Sequence, residues 1–155
     1  MTMVTLREIT RENWREALAL SVHPEQQRFV ADYAPIVLVG LAKAYVSQFG
    51  LTWLPYAIYE GHEMIGFVEL ALDPGSTDDY WMYHFFIDQR YQGKGLGKKA
   101  LSAFIEHVER HYPECRCINL TLHPDNHLAQ QLYTAAGFVR TRDEAFGEPL
   151  FRLQI

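Results

Sequence analysis

The sequence predicts one α/β domain, of the α+β kind, in which a central sheet is flanked by helices. The main observation is alternation, because runs of β-branched and aromatic residues alternate with segments whose apolar residues recur at helical spacing. The second is length, since 155 residues suit one domain with its own core. The third is composition: 48% hydrophobic and 14% aromatic residues argue against disorder. We therefore treat residues 1–155 as a single domain.

The first half of the chain predicts a strand, three helical pieces and a hairpin. Thr10 suits the N-cap of the first helix, and Pro24 and Pro35 mark the starts of the next two. The turn Glu60-Gly61-His62-Glu63 separates the two hairpin strands. We expect these elements in the first half: a strand at 4–9, helices over 10–20, 25–33 and 35–49, and strands at 55–60 and 64–72.

The second half alternates strands with helices. A polar loop over 73–79 leads into the next strand, and Gly137 ends the last helix. The helix after the central strand carries apolar residues on one face, as a helix packed on a sheet requires. We expect these elements in the second half: a strand at 80–87, a helix over 95–112, a strand at 118–122, a helix over 126–136, and strands at 138–141 and 150–153.

Charge and cysteine content exclude several classes of function. The net charge of −5 at pH 7 disfavours nucleic acid as a partner and is compatible with a cationic substrate. The longest apolar run, 35–42, is too short to span a bilayer, and Arg7 and Glu8 interrupt any signal peptide. Cys115 and Cys117 form neither a redox nor a zinc motif, so we expect free thiols and a cytoplasmic protein.

Histidine pairs raise the question of a metal site. His107 and His111 are spaced by one helical turn, and His123 and His127 flank Pro124. No third ligand has convincing spacing, so we predict no metal.

The most informative segment runs from Phe85 to Lys99, where an apolar strand enters a glycine-rich turn that opens a helix. Its centre is Gln92-x-x-Gly95-x-Gly97. Glycines let a ligand approach the backbone closely, and free amides at a helix start bind anions. The amides of Gly93, Gly95, Gly97 and Lys98 are therefore predicted to hold a phosphate or pyrophosphate. Positive charge from Lys94, Lys98 and Lys99 would add to this site.

Two well-known phosphate motifs fit this turn poorly. A P-loop would need glycine at Gln92 and serine or threonine at Lys99. The dinucleotide fingerprint matches the letters of 95–100, but this segment lies far along the chain and well after its strand.

The turn instead resembles the signature [RQ]-x-x-G-x-[GA] of the Gcn5-related N-acetyltransferases. A second segment resembles the same family's N-x-x-A-x-x-L-Y-x-x-x-G-F motif, and it begins at Asn126 and ends at Phe138. The resemblance covers the whole chain. It implies a mixed, mostly antiparallel sheet splayed between the fourth and fifth strands, and acetyl-coenzyme A (acetyl-CoA) as co-substrate.

The resemblance also implies which residues contact the co-substrate. Backbone groups of Phe85 and Ile87 would pair with the pantetheine arm as an added strand, and Asn126 and Ala129 would lie against it. Asn126 is also a candidate helix N-cap. The full expected set is Phe85, Ile87, Gln92, Gly93, Lys94, Gly95, Leu96, Gly97, Lys98, Asn126, Ala129 and Tyr133.

Catalysis needs an acid for the leaving thiolate and a way to deprotonate the amine. By resemblance Tyr133 stands at the general-acid position. Three residues remain open as the general base. Tyr83 stands at a position where related enzymes often have an acidic residue, and His84 has a suitable reference pKa. Glu69 lies on the neighbouring strand. Strand alternation predicts that Tyr83 and His84 point to opposite faces of the sheet. Deprotonation by water is a fourth possibility.

The expected acceptor is a small-molecule amine. Segments such as Glu60-Gly61-x-x-x-Ile65-Gly66-Phe67 resemble bacterial spermine/spermidine acetyltransferases, so a polyamine is the first prediction. Another amine (amino acid, aminoglycoside, peptide) and a non-catalytic acyl-CoA sensor stay open, as does a homodimer. A polyamine would need carboxylates along a groove with aromatic walls. The candidate acids are Glu25, Asp32, Asp73, Asp78, Asp79, Glu144 and Glu148.

Overall fold

Seven strands form one mixed sheet in the computed structural model, which describes residues 2–155. Their order across the sheet is β1-β2-β3-β4-β5-β7-β6. The strands are β1 (Val4–Glu8), β2 (Thr52–Glu60), β3 (Glu63–Leu72), β4 (Tyr80–Ile87), β5 (Cys117–Thr121), β6 (Val139–Ala145) and β7 (Glu148–Gln154). The α-helices are α1 (Trp14–Leu18), α2 (Gln27–Val30), α3 (Ile36–Val46), α4 (Leu96–His111) and α5 (His127–Ala135).

The sheet opens between β4 and β5. Every other neighbouring pair is antiparallel, whereas these two strands run parallel and share the single residue pair Trp81 and Asn119. The buried Asn119 side chain holds the closed end, because its Nδ2 donates to the carbonyl oxygens of Asp78 and Tyr80, at 2.9 and 3.1 Å. Its Oδ1 accepts from Arg152 Nε at 2.8 Å. Beyond this point the edges of β4 and β5 separate and leave a wedge.

Helices cover both faces of the sheet and give three layers. On one face α4 packs Leu101, Phe104 and Val108 into the main core, as its apolar stripe predicts. On the other face α1 and α3 pack on β2, β3 and β4 around residues such as Ile36 and Phe67. The predicted fold class, with its splayed mixed sheet, is confirmed.

Several element bounds differ from the prediction. The helix expected over 10–20 is reduced to α1, because Asn13 Oδ1 and Thr10 Oγ1 accept backbone amides and hold a turn instead. The helix expected over 25–33 ends at Val30, where the backbone becomes extended at Ala31. β6 and β7 are longer than expected and form a hairpin around 146–147.

Within residues 2–155, the helices are all too short or too polar to cross a bilayer.

Candidate active site

Helix α4 begins at the glycine turn. Gly95 is its N-cap with φ of 77°, a left-handed conformation that residues with a Cβ rarely adopt. No side chain of the described residues caps this terminus. The amides of the first turn of α4, from Leu96 onward, therefore lack helical partners and are available to an anion.

Gln92 ties the glycine turn to the end of β4. Its Nε2 donates to the carbonyl oxygen of Ile87 at 2.9 Å, and its side-chain amide exchanges hydrogen bonds with that of Gln26 at 3.0 and 3.1 Å. Gln26 precedes α2, so one side chain joins three segments around the turn. Gln92 thus holds the backbone that would contact the ligand.

The carboxylate of Asp88 fixes the same turn through hydrogen bonds. Its carboxylate is buried and accepts from Arg90 Nε at 2.8 Å, from Arg90 N at 2.9 Å and from Ser21 N at 2.9 Å. Burial alone would raise the pKa of Asp88, but hydrogen bonds from Arg90 and Ser21 outweigh it and hold the pKa below its ordinary value. The carboxylate is therefore ionised at neutral pH and fixes the exit of β4.

A cavity of about 260 Å³, here called the smaller cavity, fills the wedge between β4 and α5. It is largely apolar, and the glycine turn forms one end. The exposed Lys94 and Lys98 do not line it. The predicted co-substrate residues that do line it are Phe85, Ile87, Gln92, Gly93, Gly95, Leu96, Gly97, Asn126, Ala129 and Tyr133.

A larger cavity of about 580 Å³ adjoins the smaller one. The two cavities share six lining residues: Phe29, Val30, Phe85, Asn126, Ala129 and Tyr133. Asn126 caps α5 by accepting from Ala129 N at 3.4 Å, so its position is set by the helix it begins. The two spaces therefore meet at the start of α5.

Tyr133 stands at this junction. Its side chain packs between Phe85 and Phe138, with ring centroids 6.3 and 5.7 Å away, and the residue is 8% exposed. Burial raises the pKa of Tyr133 above its ordinary value. The phenol therefore keeps its proton and can donate it at the junction.

The prediction that Tyr83 and His84 face opposite sides of the sheet is wrong. A β-bulge sets His84 and Phe85 opposite the single residue Val68, since the pairing shifts from Phe67–Phe86 to Glu69–Tyr83. His84 has φ of 53°, outside the strand region. Strict alternation is lost there, and Tyr83 and His84 both line the larger cavity.

His84 has both ring nitrogens engaged. Nδ1 lies 2.8 Å from the carbonyl oxygen of Val30 and must donate to it, which leaves Nε2 as an acceptor. Lys43 Nζ lies 3.0 Å from that Nε2 and donates to it. Burial, together with the charge of Lys43, lowers the pKa of His84 to about 4. His84 is thus neutral at pH 7 with its lone pair occupied.

Glu69 lies beneath the larger cavity and does not line it. Its side chain is fully buried, and neither carboxylate oxygen has a hydrogen-bond partner within residues 2–155. Burial raises the pKa of Glu69 to about 8, against a smaller opposing effect of the nearby Lys43. Of the three base candidates, His84 and Tyr83 therefore reach the cavity directly, and burial raises the pKa of Tyr83 as well.

Two of the seven candidate acids, Asp32 and Glu148, line the larger cavity, and the other five do not. Asp79, for example, accepts from Trp81 Nε1 in the loop before β4. Basic residues Arg28 and Lys43 line the same cavity. The cavity is therefore mixed in charge rather than acidic.

The His107/His111 pair is engaged in contacts within the protein. His107 Nε2 lies 3.1 Å from Tyr56 Oη, and His111 Nδ1 lies 3.0 Å from the carbonyl oxygen of His107. No group of three or more potential metal ligands is found in the described part of the chain.

Sequence reasoning missed Lys43, Asp88 and Asn119. Asp88 carried a usable signal, because an Asp directly after a buried strand and before a turn often binds backbone amides. Lys43 and Asn119 carried none, since each depends on contacts distant in sequence.

The chain matches a known protein family. The model of the acetyltransferase (GNAT) family matches residues 3–138. The spermine/spermidine N(1)-acetyltransferase of Bacillus subtilis (strain 168) is 33% identical over 140 residues, which is 87% of each chain.

Among solved structures, the spermidine N-acetyltransferase of Vibrio cholerae in complex with CoA and spermine has a TM-score of 0.74 at 18% identity, over 99% of this chain and 95% of that one. A structure of AAC(6')-Ib in complex with paromomycin and acetyl-CoA has a TM-score of 0.78 at 20% identity, over 98% of this chain and 93% of that one. These two likenesses concern the fold. With the family match and the Bacillus relative, the chain belongs to the GNAT family of acetyltransferases.

Proposed function

We propose that this protein transfers the acetyl group of acetyl-CoA to a primary amine of a small polyamine, by direct attack of the amine on the thioester. The observation that carries the proposal is the junction of two cavities at Tyr133. One cavity ends at an anion-binding helix terminus and suits the co-substrate. The other opens beside aromatic and acidic side chains and suits an amine.

The residues around the smaller cavity fit acetyl-CoA, which supplies an activated acetyl group. Amides at the start of α4 face the cavity near Gly95 and Gly97 and would bind the pyrophosphate. The edge of β4 that faces β5 has no partner strand beyond Trp81, so backbone groups near Phe85 and Ile87 can pair with the pantetheine amides. Asn126 and Ala129 would close the opposite wall.

Tyr133 is proposed as the acid for the leaving thiolate. Its phenol lies where the two cavities meet, and burial keeps its pKa high, so the O–H is present throughout the neutral range. A buried donor next to a developing anion stabilises that charge more than water would. The raised pKa makes full proton transfer to the sulfur uphill, so the hydroxyl contributes first as a hydrogen-bond donor, and any proton it gives up is recovered from solvent through the larger cavity.

Water is proposed as the acceptor of the amine's proton. The lone pair of His84 Nε2 is occupied by Lys43, Tyr83 is too weak an acid to ionise, and Glu69 does not reach the cavity. An alkylamine with a pKa near 10 needs only about 3.5 kcal/mol to lose its proton at pH 7.5. We therefore expect log kcat/KM to rise with pH as the substrate amine deprotonates.

A polyamine is the acceptor that several observations favour. The Bacillus relative at 33% identity carries the name spermine/spermidine N(1)-acetyltransferase. Asp32 and Glu148 line the larger cavity and can pair with ammonium groups, while the rings of Tyr33 and Phe146 flank its walls and can contact methylene chains.

The proposal is tested by free-thiol release from acetyl-CoA against a panel of amines. The panel holds spermidine, spermine, putrescine, an aminoglycoside, free amino acids and a basic peptide, and each is assayed with the wild type and with Tyr133→Phe. We expect selective turnover of spermidine or spermine and a loss in kcat of about 100-fold in the variant. A thermal unfolding midpoint within a few degrees of wild type shows that the variant is folded.

Other outcomes separate the parts of the proposal. Turnover confined to another amine would retain the acetyl-transfer chemistry and reject the polyamine. Binding of acetyl-CoA without turnover on any amine would instead indicate a sensor. An unchanged kcat in Tyr133→Phe would reject the acid role alone.

A further inference from the structure

We propose that the ammonium group of Lys43 occupies an ammonium-binding subsite of the larger cavity. By doing so it limits how many charged groups of a substrate can bind there. This inference rests on the proposed function and concerns the selectivity of the same site. The subsite is formed by the rings of Trp53 and Tyr83, by His84 Nε2 and, beneath them, by Glu69.

The surroundings of the Lys43 ammonium are those of a bound cation. Nζ lies 3.0 Å from His84 Nε2 and 5.5 and 5.4 Å from the ring centroids of Trp53 and Tyr83. The two rings stand 4.7 Å apart, centroid to centroid, and form one aromatic wall. Aromatic faces with a nitrogen acceptor are a general means of binding alkylammonium groups.

The acceptor in this subsite is held in place by the fold. The carbonyl oxygen of Val30 fixes the tautomer of His84, so that Nε2 must present a lone pair to the cation. The β-bulge with its positive φ at His84 turns the ring to this face of the sheet. Such local strain persists only where the surroundings enforce it.

The buried carboxylate of Glu69 completes the subsite. Both its oxygens lack hydrogen-bond partners within residues 2–155, and no cation is close enough to form an ion pair with it there. Gly40, one helical turn before Lys43, makes room for it, since a Cβ at Gly40 would collide with Glu69 Oε1. Burial raises the pKa of Glu69 to about 8, so this acid is mostly neutral at pH 7, and a cation in the subsite favours its ionised form, as the charge of Lys43 already does.

Lys43 therefore stands where a charged group of a polyamine would bind. Its stem comes from α3 and its ammonium ends in the larger cavity. Other ionisable groups that act on it are Glu69 from β3, Tyr83 and His84 from β4, and Asp32 from the segment after α2. A substrate with a further ammonium must displace Lys43 or leave that group outside.

The decisive variant is Lys43→Met, because methionine matches the lysine stem and ends one atom short of the ammonium. Lys43→Arg keeps the charge. Arg11→Met is the matched control, since it removes one positive charge from a side chain that is 93% exposed. We measure kcat/KM for n-butylamine and for spermidine in each protein and compare the ratio of the two values.

We expect the spermidine-to-butylamine ratio to rise about tenfold in Lys43→Met, the size of one cation–aromatic contact with its acceptor. The ratio should stay near the wild-type value in Lys43→Arg and in Arg11→Met. A ratio that does not rise in Lys43→Met overturns the inference, and a rise of the same size in Arg11→Met overturns it too, because the effect would then come from net charge alone.

Direct binding keeps this test independent of the proposed function. If the wild type acetylates neither amine, spermidine is titrated calorimetrically into each CoA-saturated protein. Binding that is about tenfold tighter in Lys43→Met than in the wild type supports the subsite even without turnover. Equal or weaker binding overturns it. Thermal unfolding midpoints within a few degrees of wild type show that each variant is folded.

Discussion

Replacing Glu69 with glutamine should stabilise the protein at alkaline pH. Glu69 is a fully buried acid without a hydrogen-bond partner among residues 2–155, so its ionised form is costly in the fold. Glutamine has nearly the same shape and no charge, so it fits in the same space beside Gly40. The substitution therefore removes the charge and leaves the packing.

The sign and size of the effect follow from the pKa of Glu69, which burial raises from 4.5 to about 8. Between these values the unfolded chain has lost the proton and the folded chain keeps it, so wild-type stability falls as pH rises through this window. This difference in pKa between the unfolded and the folded chain sets a limit of about 5 kcal/mol on the loss of stability. Local relaxation and entry of water reduce such costs, so we expect about 2 to 4 kcal/mol.

Urea unfolding at pH 5, 7 and 9 measures this effect. The difference in unfolding free energy between Glu69→Gln and wild type should grow in favour of the variant by about 2 to 4 kcal/mol from pH 5 to pH 9. Glu109→Gln, on the exposed face of α4, is the control and should show no such trend. If Glu69→Gln and wild type lose stability in parallel over this range, Glu69 is not the buried, unpartnered acid described above.

Three further substitutions, with Gly97→Ala as a control for the first, test the residues that support the site, and urea unfolding measures each. Gly95→Ala should cost about 1 kcal/mol because of its φ of 77°, whereas Gly97→Ala, whose Cβ would make only ordinary contacts, should be neutral or stabilising. Asp88→Asn should cost about 2 kcal/mol at pH 7. That cost should shrink as pH falls through the lowered pKa of Asp88, because wild type loses the contribution of the carboxylate there. Asn119→Ala should cost about 2 kcal/mol by removing the donor to the carbonyl oxygens of Asp78 and of the buried Tyr80. A cost below 0.5 kcal/mol for either polar residue would contradict its role.

The glycine turn and the α5 motif could be read directly from the sequence, because their function depends on local backbone geometry. A left-handed residue at Gly95 and an N-cap at Asn126 are properties of a few neighbouring residues, and both are found. The order of strands and helices was likewise predictable from periodicity. Short helices such as α1 were overestimated, because side chains of Thr10 and Asn13 compete for the backbone amides.

The arrangement of residues around the larger cavity could not be predicted from the sequence in this way. The side of the sheet to which Tyr83 and His84 point depends on a β-bulge. The residue types in this segment do not predict that bulge, since the extra residue is neither Gly nor Asn. Lys43 meets His84 only because α3 packs over β4, a contact across 41 positions of sequence. Long-range packing thus decides which polar groups share the cavity, whereas composition gives only their number.

The charge of the larger cavity also differs from what the composition of the chain suggests, and it affects which substrate can bind. The chain as a whole carries −5, yet the charged residues that line this cavity are two acids and two bases, whose formal charges cancel. Arg28 is partly neutralised by Asp125, with Nη1 and Oδ2 3.6 Å apart, outside the cavity. Lys43 has no such partner within hydrogen-bonding distance, because its close neighbour is the neutral His84. The position of this single ammonium therefore controls whether the cavity attracts a second substrate cation, which is why the Lys43 variants distinguish a site for monoamines from a site for polyamines.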